Sequence, residues 1–208
     1  MLAIDIIPCL SDNYSYLLCD KDTNTVAIID PSDFRSCDKK ISKQYNKLDY
    51  ILNTHHHSDH IGGNEKLKEK YASKVLGFEM DKERIPSIDI PLKEKQTFKI
   101  GNTSFEVIFI PGHTKGHIAY YFKDEKIVFT GDTLFSLGCG RVFEGTYEQM
   151  FNSLNKLKEL PEDTKIYCGH EYTKKNLDFC LEYDVNNENL KKKTDWINSK
   201  IVSNSPTV

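Results

Sequence analysis

Four short turns, each directly after an apolar strand-like run, constrain this chain more than anything else in it. Tyr50-Ile51-Leu52 leads into Thr54-His55-His56-His57-Ser58-Asp59-His60. Phe105–Ile110 leads into Pro111-Gly112-His113-Thr114, and Ile127-Val128-Phe129 into Thr130-Gly131-Asp132-Thr133. Lys165-Ile166-Tyr167-Cys168 leads into Gly169-His170-Glu171. In the last three a glycine precedes the His or Asp, which frees the backbone to turn sharply and approach a neighbouring segment. Turns at strand ends gather at one edge of a sheet, where functional residues concentrate. The four turns are expected to converge on one sheet edge.

The first turn contains H-x-H-x-D-H. Imidazole suits zinc, iron and similar ions, and carboxylate adds charge and hardness. In an extended loop His55 and His57 project to one side, while the adjacent Asp59 and His60 must point differently. One loop can therefore feed two neighbouring metals. A lone His is more often a surface or core residue than a ligand. Here, however, all 7 histidines lie in or beside these turns: His55, His56, His57, His60, His113, His117 and His170. At background frequencies of a few per cent per residue, a chance H-x-H-x-D-H is on the order of 10⁻⁴. A metal site is the reading that follows. His56 alternates away from its neighbours, and His117 is read as a supporting hydrogen-bond partner.

The rest of the chain supplies layers for these turns. Leu2–Ile7 and Val26–Ile29 read as strands, punctuated by Ser11-Asp12-Asn13 and Asp22-Thr23-Asn24. Asp30-Pro31-Ser32-Asp33 stops a strand and caps a helix carrying Phe34, Cys37, Ile41 and Tyr45. Asn64 is read as the N-cap of a helix with Leu67 and Tyr71. Ile118–Phe122 is a further strand. Thr146 and Gln149 form a capping box before a helix with Met150, Phe151, Leu154 and Leu157, ended by Pro161. Beyond Cys168–Thr173 the chain is helical through Leu177, Leu181, Leu190, Ile197 and Ile201. The pattern is α/β (α+β), with sheet layers covered by helices.

Composition excludes some functions. The 208 residues suit one domain, or one with a small appendage. With 28 basic against 31 acidic residues there is no basic surplus for nucleic acid or an anionic membrane. No apolar run has membrane-spanning length, and Met1 leads straight into a strand without a leader. The 6 cysteines form no CxxC pair and no disulfide-scaffold spacing, which suits idle thiols in a reducing cytoplasm. A cytoplasmic monomer is the expectation.

The stretches THHHSDH, PGHT, TGDT and CGHEYT, in this order, resemble the metallo-β-lactamase superfamily. Together with Gly138–Gly145 (GCGRVFEG), they resemble its glyoxalase II family, the hydroxyacylglutathione hydrolases. The resemblance implies an αβ/βα sandwich over 1–170 and a short helical C-terminal domain over 171–208. It implies two divalent metal ions, zinc first, with iron or manganese accepted by the same ligands. His55, His57 and His113 would hold one ion; Asp59, His60 and His170 would hold the other. Asp132 would bridge them, and Asp59 and Asp132 would serve catalysis. Arg141 and Tyr172 fall where the family contacts glutathione, and Phe143 where some members carry a substrate-binding Tyr.

The implied reaction is hydrolysis of S-(2-hydroxyacyl)glutathione, such as S-lactoylglutathione, in methylglyoxal detoxification. A thiol of pKa about 8.5 leaves with little help from a general acid. Cys139 and Cys168 are read as bystanders. The family's helical domain continues past Pro206-Thr207-Val208 with basic residues that clamp glutathione, so weakened substrate binding is expected. Lys191, Lys192 and Lys193 could compensate, although a solvated helix face is the simpler reading. The rival readings are a persulfide dioxygenase using one iron, and a remnant with weakened substrate binding.

Overall fold

A strand covered on both faces reads as a continuous apolar run rather than an alternation. Strands β3 (Thr25–Ile29) and β9 (Ile118–Phe122) have that character and are buried almost throughout. They sit inside two different sheets. The computed structural model describes residues 1–203 and 205–207; Val208, the last residue of the expected helical segment, lies outside them.

The first sheet contains β1 (Leu2–Cys9), β2 (Asn13–Asp20), β3, β4 (Tyr50–Leu52), β5 (Lys74–Phe78) and β6 (Ile90–Leu92), side by side in chain order. β1, β2 and β3 pair antiparallel; β3 to β6 run parallel. The second sheet has the order β13-β10-β9-β8-β7, with β7 (Thr97–Ile100), β8 (Thr103–Phe109), β10 (Ile127–Gly131) and β13 (Lys165–Cys168). Only its β10–β13 pair is parallel.

Side-chain alternation builds the layers. Tyr16 and Leu18 of β2 meet Phe105, Tyr120 and Phe129 of the second sheet in the central core. The Tyr16 and Phe129 rings meet edge to face at 5.1 Å. Leu17 and Cys19 face the other way, against α1 (Phe34–Gln44) and α3 (Asn64–Tyr71) through Cys37, Ile41 and Leu67. Behind the second sheet, α4 (Tyr147–Lys158) packs Leu157 on Ala119, Tyr121 and Val128. This is the expected αβ/βα sandwich. Each large side chain buried in it contributes about 1.5–3 kcal/mol. The sheets are also tied by Asp20, whose buried carboxylate accepts from Asn102 N and Thr103 N at 2.8 Å and from Thr103 Oγ1 at 2.9 Å. Helices α5 (Thr173–Tyr183) and α6 (Glu188–Val202) pack on each other through Leu177, Leu190 and Ile197, with Leu137 alongside.

Asp33 caps α1 by accepting from Ser36 N, and both halves of the Thr146/Gln149 capping box form. Asn64 does not cap α3. Gly63 occupies that position, and the Asn64 amide is committed to Asn53, donating to its Oδ1 at 2.7 Å. Phe151 is 65% exposed, because α4 meets the sheet only along the face of Met150 and Leu157.

Candidate metal centre

The four turns converge at one edge of the sandwich. His55 follows β4 of the first sheet. His113, Asp132 and His170 follow β8, β10 and β13 of the second. Two glycines make the approach possible. Gly131 adopts φ +48°, and a Cβ there would lie 2.4 Å from Thr54 Oγ1. A Cβ on Gly169 would lie 2.2 Å from Asp132 Oδ1 and 2.8 Å from His60 Cε1. After the His-rich loop, α2 (Ser58–Ile61) is a single turn that swings Asp59 and His60 away from His55 and His57.

Two groups of side chains result, each with its ligand atoms within 4.8 Å of one another: His55, His57 and His113, and Asp59, His60 and His170. His57 Nδ1 lies 3.0 Å from His113 Nε2, and His60 Nε2 lies 3.4 Å from His170 Nε2. Asp59 Oδ2 is 3.4 Å from His170 Nε2 and 3.7 Å from His60 Nε2. Asp132 stands between the groups. Its Oδ1 is 3.4 Å from His60 Nε2; its Oδ2 is 3.4 Å from His113 Nε2 and 3.3 Å from His170 Nε2.

The surroundings fix which nitrogen faces inward. In four of the five candidate ligand histidines the far Nδ1 has an oxygen partner: Thr54 Oγ1 for His55 at 3.0 Å, Asp30 Oδ2 for His60 at 3.0 Å, the Arg141 carbonyl for His113 at 2.8 Å, and Asp12 Oδ1 for His170 at 2.8 Å. Each of these four Nε2 atoms is thereby left facing the centre. His57 is the exception and presents Nδ1. Asn13 Nδ2 donates to Asp59 Oδ2 at 2.9 Å. His117 accepts from Asp132 N at 3.1 Å and stacks on His55, the supporting role read from the sequence.

These groups fit divalent cations. Lone pairs converging at 3.0–3.4 Å repel unless a cation or proton lies between them. His55 Nε2 and Asp132 Oδ1 are buried with no hydrogen-bond partner among the described residues. Such an orphan costs about 1–3 kcal/mol, which ligation removes. Burial keeps His55 and His113 below the usual histidine range, the neutral form that a metal would require. Burial also opposes charge on His60 and His170, but the neighbouring carboxylates outweigh it, and His170 is raised to about 10. Burial works against ionised Asp132 as well; the His60 and His170 rings overcome it and hold the carboxyl well below its usual value. Asp30, His55 and His60 also lie close together. Asp30 is already engaged, however, since Thr54 N, Thr54 Oγ1 and His60 Nδ1 all donate to it.

Asp12, Asn13, Asp30 and Thr54 are the supporting residues that sequence reasoning missed. Asp30 was legible only as a strand stop ahead of Pro31.

The ligands open into a cleft of about 510 Å³ lined also by Arg141, Phe143, Tyr172, Lys175 and Asn176. The Tyr172 ring stacks on His170 at 4.7 Å and 7°, and burial pushes its phenol up to about 12. Phe143 sets its ring edge-on to His113 at 5.2 Å and to His57 at 5.9 Å. Among the described residues, neither Arg141 nor Lys175 has an ion-pair partner. Lys191 instead pairs with Glu188. Cys139 also lines the cleft, whereas Cys168 is buried and donates to the His170 carbonyl.

The family model of the metallo-beta-lactamase superfamily matches residues 11–170. Hydroxyacylglutathione hydrolase of Pelagibacter ubique (strain HTCC1062) is 55% identical over 207 residues, covering 100% of this chain and 87% of its own. Hydroxyacylglutathione hydrolase of Synechococcus sp. (strain JA-2-3B'a(2-13)) is 45% identical over 203 residues, covering 97% and 81%. Among solved structures, ETHE1 from Myxococcus xanthus is similar at a TM-score of 0.74 and 29% identity, over 82% of this chain and 76% of that one. TTHA1623 in a di-iron-bound form is similar at 0.67 and 26%, over 81% and 92%. Sequence, fold and the convergence of the four turns agree: this chain belongs to the metallo-beta-lactamase superfamily and, within it, to the family of the hydroxyacylglutathione hydrolases.

Proposed function

We propose that this chain is a dinuclear-metal thioester hydrolase that converts S-(2-hydroxyacyl)glutathione, S-lactoylglutathione foremost, into a 2-hydroxy acid and glutathione. The observation that carries this reading is Asp132, whose carboxylate lies within 3.4 Å of histidines from both ligand groups. The names of the relatives support the substrate class. In this assignment His55, His57 and His113 would hold one ion and Asp59, His60 and His170 the other, with the Asp132 carboxylate lying between the two groups. Zinc is the first choice, with iron and manganese accepted by the same donors. Residues 1–170 form the catalytic unit and 171–208 a helical appendage, a division supported by the end of the family match at 170 and by the separate α5–α6 cluster.

When bound, a pair of divalent ions supplies Lewis acidity, lowering the pKa of a water from about 15.7 to roughly 7 and polarising a carbonyl. The chain's own residues do the rest. Asp132, held ionised, orients the attacking water between the two ligand groups, and the proton that the water gives up passes to solvent. The water oxygen bonds to the thioester carbon, the C–S bond breaks, and the sulfur leaves with the electron pair and collects a proton. Asp59, fixed by Asn13 and facing His170, keeps the second ligand group in register. Tyr172, still protonated, donates a hydrogen bond toward the substrate, and Arg141 and Lys175 draw the anionic thiol into the cleft. Phe143 offers an apolar ring edge without a hydroxyl.

No helix among the described residues is long and apolar enough to cross a membrane. We place the enzyme in the cytoplasm as a monomer. The test is metal content together with turnover. The expected result is near two ions per chain and faster hydrolysis of S-lactoylglutathione than of a simple thioester lacking glutathione. A fully loaded protein that never holds more than one ion, or that cleaves neither thioester, overturns the reading.

A further inference from the structure

Two residues of the sequence motifs take no part in ligation: His56, inside the His-rich loop, and Glu144, in the Gly138–Gly145 stretch. They approach each other, His56 Nε2 to Glu144 Oε1, at 3.4 Å. Beside them stands Arg84. Its NH1 donates to both Glu144 oxygens, at 2.7 and 2.9 Å, and its Nε donates to Asp81 Oδ1 at 3.2 Å. Asp81 is fully buried, and its Oδ2 is 3.5 Å from His56 Nδ1. Glu144 Oε2 also accepts from Lys115 N at 2.8 Å. A Cβ on Gly116 would lie 2.0 Å from Asp81 Oδ1, so the turn that carries His113 packs directly on this carboxylate.

The network joins three loops. Asp81 and Arg84 lie just after β5. His56 sits between two members of the first ligand group. Glu144 closes the loop whose Arg141 carbonyl orients His113, and Phe143 N and Glu144 N both donate to the His113 carbonyl, at 3.2 and 3.3 Å. Two carboxylates brought this close repel, and a planar guanidinium fork is the group that can satisfy both at once. Without it a buried carboxylate is left unpaired, and the 141–145 loop loses its tie to the His-rich loop.

We propose that Arg84 is a positioning residue: forked between Asp81 and Glu144 beside His56, it locks the 141–145 loop against the His-rich loop and so fixes the geometry of the His55–His57–His113 site. The inference rests on the assignment of those three histidines to one ion. It is tested by zinc affinity, measured on the metal-depleted full chain by competition with a chromophoric chelator. His170→Ala isolates the first group; His57→Ala isolates the second. In the His170→Ala background, Arg84→Ala should weaken zinc binding about tenfold, the low end of the range for partners bonded directly to a ligand, because Arg84 reaches His113 only through Glu144 and the 141–145 loop. In the His57→Ala background it should change by less than about threefold. Arg84→Lys should restore only part of the affinity, because lysine supplies the charge without the fork. Unchanged affinity in the first background overturns the inference, and so does an equal loss in both, which would mark general structural damage. If Arg84→Ala fails to fold, Glu144→Gln carries the same comparison with the Arg84–Asp81 pair intact. A His170→Ala chain with Arg84 present that binds no zinc sinks the ligand assignment itself, and the inference with it.

Discussion

Replacing Asp30 by asparagine tests how far the second ligand group depends on a residue outside it. Asp30 is buried, and its carboxylate accepts three hydrogen bonds: Thr54 N at 2.8 Å on one oxygen, and Thr54 Oγ1 at 2.6 Å and His60 Nδ1 at 3.0 Å on the other. An amide has one oxygen and one NH₂. If the NH₂ faces His60, the imidazole must accept at Nδ1 and carry its proton on Nε2, the atom that faces Asp132. If it faces Thr54 N, two donors confront each other in a buried site, which costs about 1–3 kcal/mol. Either arrangement removes a charge-assisted hydrogen bond contributing roughly 1.5–3 kcal/mol. At 1.4 kcal/mol per tenfold, that corresponds to about one to two orders of magnitude in affinity at the second group, in the range typical of lost ligand-supporting contacts. The first group should lose less, since Asp30 reaches it only indirectly, through Thr54 Oγ1 beside His55 Nδ1. Chelator competition on metal-depleted Asp30→Asn, in the His57→Ala and His170→Ala backgrounds, reads both directly. Wild-type affinity at the second group would refute the claim that Asp30 sets the His60 tautomer.

Asp132→Asn keeps the size and removes the charge that two neighbouring cations need; turnover should fall by orders of magnitude and at least one ion should be held more weakly. Near-normal turnover in a fully loaded variant would exclude the bridge. Arg141→Ala should raise KM for S-lactoylglutathione about tenfold with little change in kcat, the loss of roughly 1.4 kcal/mol of solvent-screened ion pairing; an unchanged KM would place the thiol carboxylates elsewhere. Burial alone would raise the Asp20 pKa, but hydrogen bonds from Thr103, Thr23, Asn102 and Asp22 outweigh it and hold it at about 2, against 3.8 for the free group. A carboxyl depressed on folding stabilises the fold above pH 3.8 and loses that contribution as pH falls toward 2. Urea unfolding across this window should therefore show a steeper decline in wild type than in Asp20→Asn, by about 1–2 kcal/mol after allowance for screening.

The ligand turns were legible because histidine is scarce and all of it falls in or beside them. Strands such as Ile118–Phe122, continuous and apolar, were legible for a similar reason. The segment from 74 to 100 was not. β5 is interrupted by Gly77, and β6 carries Pro91 on an edge strand, where a missing N–H is tolerated. Asp30 was hidden for a different reason. Its partnership with His60 exists only because β3 and β4 run parallel with Ile29 opposite Leu52, a long-range pairing that local composition does not encode. Glu144 and Arg84, 60 residues apart, are the same case. Asn64 misled because its side chain can serve either a helix end or another amide, and only the proximity of Asn53 decides between them.

The first sheet is built wholly from residues 2–92 and the second wholly from 97–168. The candidate ligands divide at the same boundary. His55, His57, Asp59 and His60 come from the earlier half; His113, Asp132 and His170 come from the later one. Neither half holds all three members of either candidate group. Metal held there would add a further tie between two leaves already joined by the central core and by Asp20, and occupancy at 100-fold excess over Kd would contribute about 2.7 kcal/mol to their union. A chain nicked between β6 and β7 should therefore reassemble more readily with metal supplied than without it, and the candidate centre would then report whether the two leaves have met.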